Sequence, residues 1–104
     1  MKVRWTDTAT GHLASIYEYI ARDSARYAQR VIDRITSRSR QIARFPHLGQ
    51  MVPEYQDPDI REVLVGQYRV IYKVTAKEVH VLAIIHGAQR MPPEAALANG
   101  PGAE

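Results

Sequence analysis

The feature that most constrains this chain is a change of hydrophobic period at its midpoint. Up to residue 45 the apolar residues recur at helical spacing; after residue 59 they alternate as in strands. Ala9, Leu13, Ile16, Tyr17 and Ile20 form one helical stripe, preceded by a short strand at Lys2 to Trp5 and capped by Asp7 or Thr8. Arg22-Asp23-Ser24 makes a corner at which Ser24 caps a second, longer helix running to about Arg44. Tyr27, Ala28, Val31, Ile32, Ile35 and Ile42 line the inner side of that helix. Pro46 ends it, because proline disfavours helical geometry at the residue before it and has no N–H to donate. Prolines 46, 53 and 58 and Gly49 then break all periodicity, leaving a loop or irregular edge segment. Three strands follow, Ile60 to Val65, Tyr68 to Val74 and Val79 to His86, joined by a two-residue turn at Gly66-Gln67 and a longer one at Thr75 to Glu78.

This order predicts an α+β domain. A short N-terminal strand is followed by an α-helical hairpin packed on one face of a small antiparallel sheet. The domain is expected to span residues 1–90. Residues 91–104, with three prolines and two glycines, are expected to form a mobile tail in which Glu94 to Ala98 make one helical turn on a partner. Several function classes fall away. The chain has no cysteine, and the histidines at 12, 47, 80 and 86 show no metal-ligand spacing, so no metal or cofactor is expected. No Ser-His-Asp, paired-carboxylate or glycine-rich phosphate motif occurs. No membrane segment or cleaved leader is recognisable, so the expected location is the cytoplasm. The formal charge is +3 and 11 of the 14 cations are arginine, which suits planar recognition of carboxylates or phosphates.

Alternation in the last two strands nominates a binding face. Tyr68, Val70, Tyr72 and Val74, with Val79, Val81, Ala83 and Ile85, make the set facing the helices. Arg69, Ile71 and Lys73, with His80, Leu82, Ile84 and His86, then point away. Ile71, Leu82 and Ile84 would be bare unless a partner, or the loop from Pro46 to Asp59, covers them. On the long helix Arg26, Arg30, Arg34 and Arg38 recur every four residues, opposed only by Asp33. That row is either a solvated face or the mark of an acidic partner. Tyr17, Tyr19 and Tyr27 read as hairpin packing rather than as a platform for bases. Arg61, Arg69, His86 and Arg90 are the one possible catalytic cluster, able to bind phosphate with His86 as acid or base. The competing role for His86 is a structural hydrogen bond.

Residues 3 to 91 resemble the RelE/ParE superfamily of type II toxins. The resemblance is carried by Trp5, Ala9 and Leu13, then Ile16-Tyr17-Glu18-Tyr19-Ile20, Phe45-Pro46-His47-Leu48-Gly49 and Arg61-Glu62. It ends with Tyr68-Arg69-Val70-Ile71-Tyr72 and His86-Gly87-Ala88-Gln89-Arg90. It implies a toxin silenced by an antitoxin whose C-terminal segment wraps it. RelE-like members cleave mRNA on the ribosome with basic residues on the sheet and commonly a tyrosine after the last strand. ParE-like members poison DNA gyrase. Glu62 stands where a lysine would, and no tyrosine follows Tyr72, so the nuclease complement is incomplete and the chain looks nearer the ParE branch. The resemblance therefore implies gyrase as target, with Arg61, Arg69, Lys73, His86 and Arg90 as candidates for its contact. The ribosome and mRNA are the alternative, with Arg69, His86 and Arg90 as catalytic residues. A ParD-like antitoxin with an acidic C-terminal segment is the implied partner, meeting Ile71, Leu82, Ile84, Arg26, Arg30 and Arg34.

Overall fold

The computed structural model of the chain describes residues 1–97. Its elements are β1 (Lys2–Trp5), α1 (Asp7–Ala21), α2 (Ala25–Arg44), β2 (Gln50–Met51), β3 (Ile60–Val65), β4 (Tyr68–Val74), β5 (Glu78–His86) and α3 (Glu94–Leu97). Both helix starts have a local cause. Ser24 accepts from the Tyr27 N–H and caps α2, as expected. The cap of α1 is Thr6, one residue before the expected Asp7 or Thr8, because its hydroxyl serves two elements at once. It accepts from the Ala9 N–H (3.0 Å) and donates to the Leu82 carbonyl on β5 (3.2 Å). Thr6→Ala should therefore cost about 2 kcal/mol, the upper end for a lost cap; a loss under about 0.5 kcal/mol in urea denaturation would show that the bond to Leu82 adds nothing.

The sheet has the order β1-β5-β4-β3-β2. The three long strands form the expected antiparallel meander, with Gly66 at φ 57° in the first turn. β1 pairs parallel to β5, and two residues of the irregular segment add β2 to the opposite edge. The helical hairpin covers one face. Val31, Ile35 and Ile42 pack there with Val63, Val65, Val70, Tyr72, Val74, Val79 and Val81.

One irregularity redistributes the side chains of β5. Ile71 stands opposite Ala83, but Tyr72 stands opposite Val81, so Leu82 is an extra residue and a bulge. Alternation inverts beyond it. Val79 and Val81 face the helices as expected, whereas Ala83 and Ile85 turn to the other face and Ile84 joins the helix side. The expected outward set of Ile71, Leu82 and Ile84 is thus corrected at Ile84.

The outer face is not bare: of the two covers expected for it, a partner or the loop from Pro46 to Asp59, the loop supplies one part. Val52 and Tyr55 from the segment before β3, with Met91 and Leu97 from beyond β5, close over Ile60, Ile71, Leu82, Ala83 and Ile85 as a second core. The Tyr55 hydroxyl donates to the Pro92 carbonyl (2.6 Å) and ties the two covering segments together. The helical turn expected from Glu94 to Ala98 is present as α3, but it packs on this chain's own sheet through Leu97. Ala98 and the rest of the expected tail lie outside the described residues.

Candidate functional site

The charged residues nominated by sequence divide between the two faces of the sheet. On the outer face Arg69 is clamped by two carboxylates. Its Nε donates to Glu62 Oε1 at 2.5 Å, and its two terminal nitrogens donate to both oxygens of Glu54 at 2.8 and 2.9 Å. Glu62 is only 4% exposed and also accepts from Gln50 Nε2 (3.3 Å). Bidentate pairing of this kind is among the stronger polar contacts in proteins. It raises the guanidinium pKa above its already high value, through Glu54 first and Glu62 second. Three of the five N–H groups of Arg69 are thus committed to carboxylates. Lys73, on the same face, stands 3.5 Å from Asp57. Arg90 is exposed beside Glu54, Tyr55 and Glu94, lining a cleft of about 740 Å³ between the two covering segments.

The other two nominated residues lie on the helix side. Arg61 donates from Nη1 to the Gly49 carbonyl (2.8 Å), while its buried Nε has no partner among the described residues. His86 stands edge-on to Tyr68 with ring centroids 5.5 Å apart. Its Nδ1 accepts from the Ala88 N–H (3.2 Å) and its Nε2 lies 2.9 Å from Gln67 Oε1. An accepting Nδ1 leaves the proton on Nε2, so both ring nitrogens are occupied by structural bonds. The sheet therefore separates Arg69 and Arg90 from Arg61 and His86, and the four do not form one cluster.

Three features were not legible in the sequence. Glu54 and Glu62 are 8 positions apart, and only the β3–β4 pairing with the preceding loop brings both to Arg69. Tyr19 and Tyr27 are 70% and 53% exposed, which corrects their assignment to hairpin packing; Arg22 lies over the Tyr19 ring at 5.8 Å. His12, on α1, accepts from the Ile84 N–H through Nδ1 (3.1 Å), and burial lowers its pKa. His12 caps a backbone donor that β1, ending at Trp5, leaves without a strand partner.

Helix α2 presents Arg26, Arg30 and Arg34 to solvent, and Arg38 donates to Gln41 Oε1. None of these arginines forms a salt bridge among the described residues. Their charge is available to a partner.

The Arg69 clamp has a pH signature. Its hydrogen bonds from Arg69 hold the Glu54 carboxyl below the ordinary value of 4.5. Because the folded pKa is depressed, this contribution is complete above the unfolded value and is lost as pH falls through the folded one. Glu54→Gln should flatten the fall of stability with acid below about pH 4.5. An unchanged slope in urea titrations at pH 3 to 6 would count against the clamp.

A helical hairpin on one face of a five-stranded sheet, with cations on a helix and on both sheet faces, defines a small α+β protein. Residues 3–91 match the family model described as the ParE toxin of the type II toxin–antitoxin system parDE, and the chain belongs to that family. The fold is also that of a solved structure titled "Chromosomal ParDE TA system from P. aeruginosa". The two share 21% sequence identity at a TM-score of 0.69, over 83% of this chain and 95% of the other. A search of curated proteins finds no match.

Proposed function

We propose that this ParE-family toxin acts by binding, with DNA gyrase as its target, and is held inactive by a ParD-like antitoxin. The observation that carries the binding reading is the occupied state of two of the three groups nominated for a nuclease. Arg69 is neutralised by Glu54 and Glu62, and both nitrogens of His86 are spent on Gln67 and Ala88. A phosphate ligand at Arg69 would have to compete with two carboxylates already bonded to it, and a general base at His86 would first have to break a structural bond. Arg61, Lys73, His86 and Arg90, spread over both faces, are the candidates for contact with the target, joined by Arg69 only when Glu54 is withdrawn.

The antitoxin is expected to bring an acidic segment to Arg26, Arg30 and Arg34, the unpaired row on α2. Ile71, Leu82 and Ile84 are buried within this chain. They contribute to that contact only if the covering segments move aside. Purified toxin is expected to inhibit gyrase supercoiling and to leave mRNA intact in cells that express it without antitoxin. Unimpaired supercoiling, together with codon-positioned cuts in primer extension, would replace this reading with ribosome-dependent mRNA cleavage.

A further inference from the structure

The corner of the helical hairpin carries an aromatic surface that the core does not consume. Tyr19, in the last turn of α1, is 70% exposed, and Tyr27, in the first turn of α2, is 53% exposed. Rings left in water forfeit the burial that usually makes aromatic residues stabilising. Tyr68, the first residue of β4, completes the group. Burial first, and then the nearby Tyr27 and Tyr19, raise the pKa of its hydroxyl. Two cavities meet at this residue. The larger, about 430 Å³, lies between α1 and the end of β5, and Tyr19, Tyr68 and His86 are among its walls. The smaller, about 190 Å³, lies between α2 and the β3–β4 turn, and is walled by Tyr27, Tyr68, Gln67 and Arg34 among others.

The charge at the two cavities is of one sign. Neither is lined by a carboxylate. The Arg22 guanidinium stands 5.8 Å from the centre of the Tyr19 ring, and Arg34 forms no ion pair among the described residues. The polar groups of the larger cavity are mostly donors. His12 accepts from the Ile84 N–H at Nδ1 and burial lowers its pKa, so the neutral ring carries its proton on Nε2. Gln89 accepts from the His86 N–H through Oε1, which leaves its NH2 group as a donor. Ser15 adds a hydroxyl. His86 contributes ring surface alone, since Gln67 and Ala88 occupy its two nitrogens.

We propose that this surface binds single-stranded nucleic acid through two successive unpaired bases, one in each cavity, stacked against Tyr19, Tyr27 and Tyr68. Every base offers a π face, and aromatic rings interleaved with arginines hold such strands with little regard to sequence. The donors of the larger cavity match the carbonyl and ring-nitrogen acceptors of a base edge, and Arg22 and Arg34 match phosphates. A duplex keeps its bases stacked on one another and has no face to offer. An acidic peptide would satisfy the arginines but not the ring-walled cavities, and a free nucleotide would fill only one of them. The site needs neither antitoxin nor gyrase, so it stands or falls apart from the proposed function.

The probe is a fluorescein-labelled octathymidylate, read by anisotropy against the unmodified protein. The single strand should bind about tenfold or more tightly than a duplex of the same length. Thymidine monophosphate should compete only at about a hundredfold the concentration of unlabelled octamer, because linked bases engage the two cavities together. Tyr19→Ala and Tyr27→Ala, at exposed positions, should each weaken binding about fivefold or more, whereas Tyr19→Phe and Tyr27→Phe should retain it. Arg22→Ala and Arg34→Ala should each reduce the slope of log affinity against log salt by about 0.7. An octamer carrying iodouracil should cross-link on irradiation to Tyr19, Tyr27 or Tyr68, which decides the matter on the unmodified protein if a variant does not fold. Equal affinity for the duplex or unchanged affinity of both alanine variants would overturn the proposal. So would competition by the monophosphate at the octamer's own concentration, or cross-links confined to other residues. Tighter binding of a peptide of alternating glutamate and tyrosine would make the surface a protein-docking face instead.

Discussion

Arg69→Ala is expected to destabilise the protein by about 3–5 kcal/mol, the cost of removing one partner of a buried ion pair. Glu62 is 4% exposed and meets Arg69 at 2.5 Å, so without the guanidinium its carboxylate is left with Gln50 as its one polar neighbour. Glu54, being partly exposed, loses less because water replaces its partner. Replacing charge by shape should behave differently. Arg69→Met combined with Glu62→Leu removes both buried ions and keeps most of the volume, so it should recover most of the loss. Loss of toxicity in the single variant would then report unfolding. A folded and toxic double variant would remove Arg69 from any phosphate-binding role; a folded but inactive one would place it in the target contact. Chemical denaturation beside a growth assay separates these outcomes. A loss below about 1 kcal/mol for Arg69→Ala would show the clamp to be a surface pair in energetic terms.

Tyr72→Ala should be as damaging, at about 3–5 kcal/mol for truncating a large buried ring. Tyr72 has no exposed surface and packs against the helical hairpin. Its hydroxyl also holds the chain that leaves α2, donating to the Pro46 carbonyl (2.8 Å) and accepting from the Gly49 N–H (2.9 Å). Tyr72→Phe keeps the ring and isolates this polar role. It should cost about 1–3 kcal/mol because a buried N–H and a carbonyl lose their partner. Gly49 has no room to compensate, since a methyl group there would stand 2.3 Å from the Glu62 carbonyl oxygen and 2.7 Å from the Tyr72 hydroxyl. Equal stability of Tyr72→Phe and the unaltered protein in guanidinium melts would mean that water serves these groups equally well.

These two residues also mark the limit of what the sequence discloses. The helices, their corner at Ser24, the meander and the helix-facing side of β4 were readable because each rests on local periodicity or a local breaker. Tyr72 was correctly assigned to the core, but nothing local says that its hydroxyl meets residues 46 and 49. Glu62 was readable only as a departure from a nuclease pattern; its part in holding Arg69 depends on a loop carboxylate at Glu54. The bulge was invisible for a simpler reason. Val81-Leu82-Ala83-Ile84-Ile85 is continuously apolar, so no polar residue marks where alternation inverts, and Ile84 was placed on the wrong face. The cover over the outer face was one of two stated alternatives. Periodicity could not choose between them, because Val52, Tyr55, Met91 and Leu97 lie in segments without regular pattern.

The two apolar clusters lie on opposite sides of one sheet and have unequal anchorage. The helix-side cluster joins five elements. The other is closed by two irregular stretches, tied to each other by the Tyr55–Pro92 bond and to the sheet by Glu54. Stability in such a molecule is not one quantity. An outer cover tied at so few points is expected to have a lower free energy of opening than the helices and meander. Such an opening would free Arg69 from Glu54 and bare Ile71, Leu82 and Ile85 in the same event. Charge and apolar area are thus held back by one and the same set of contacts.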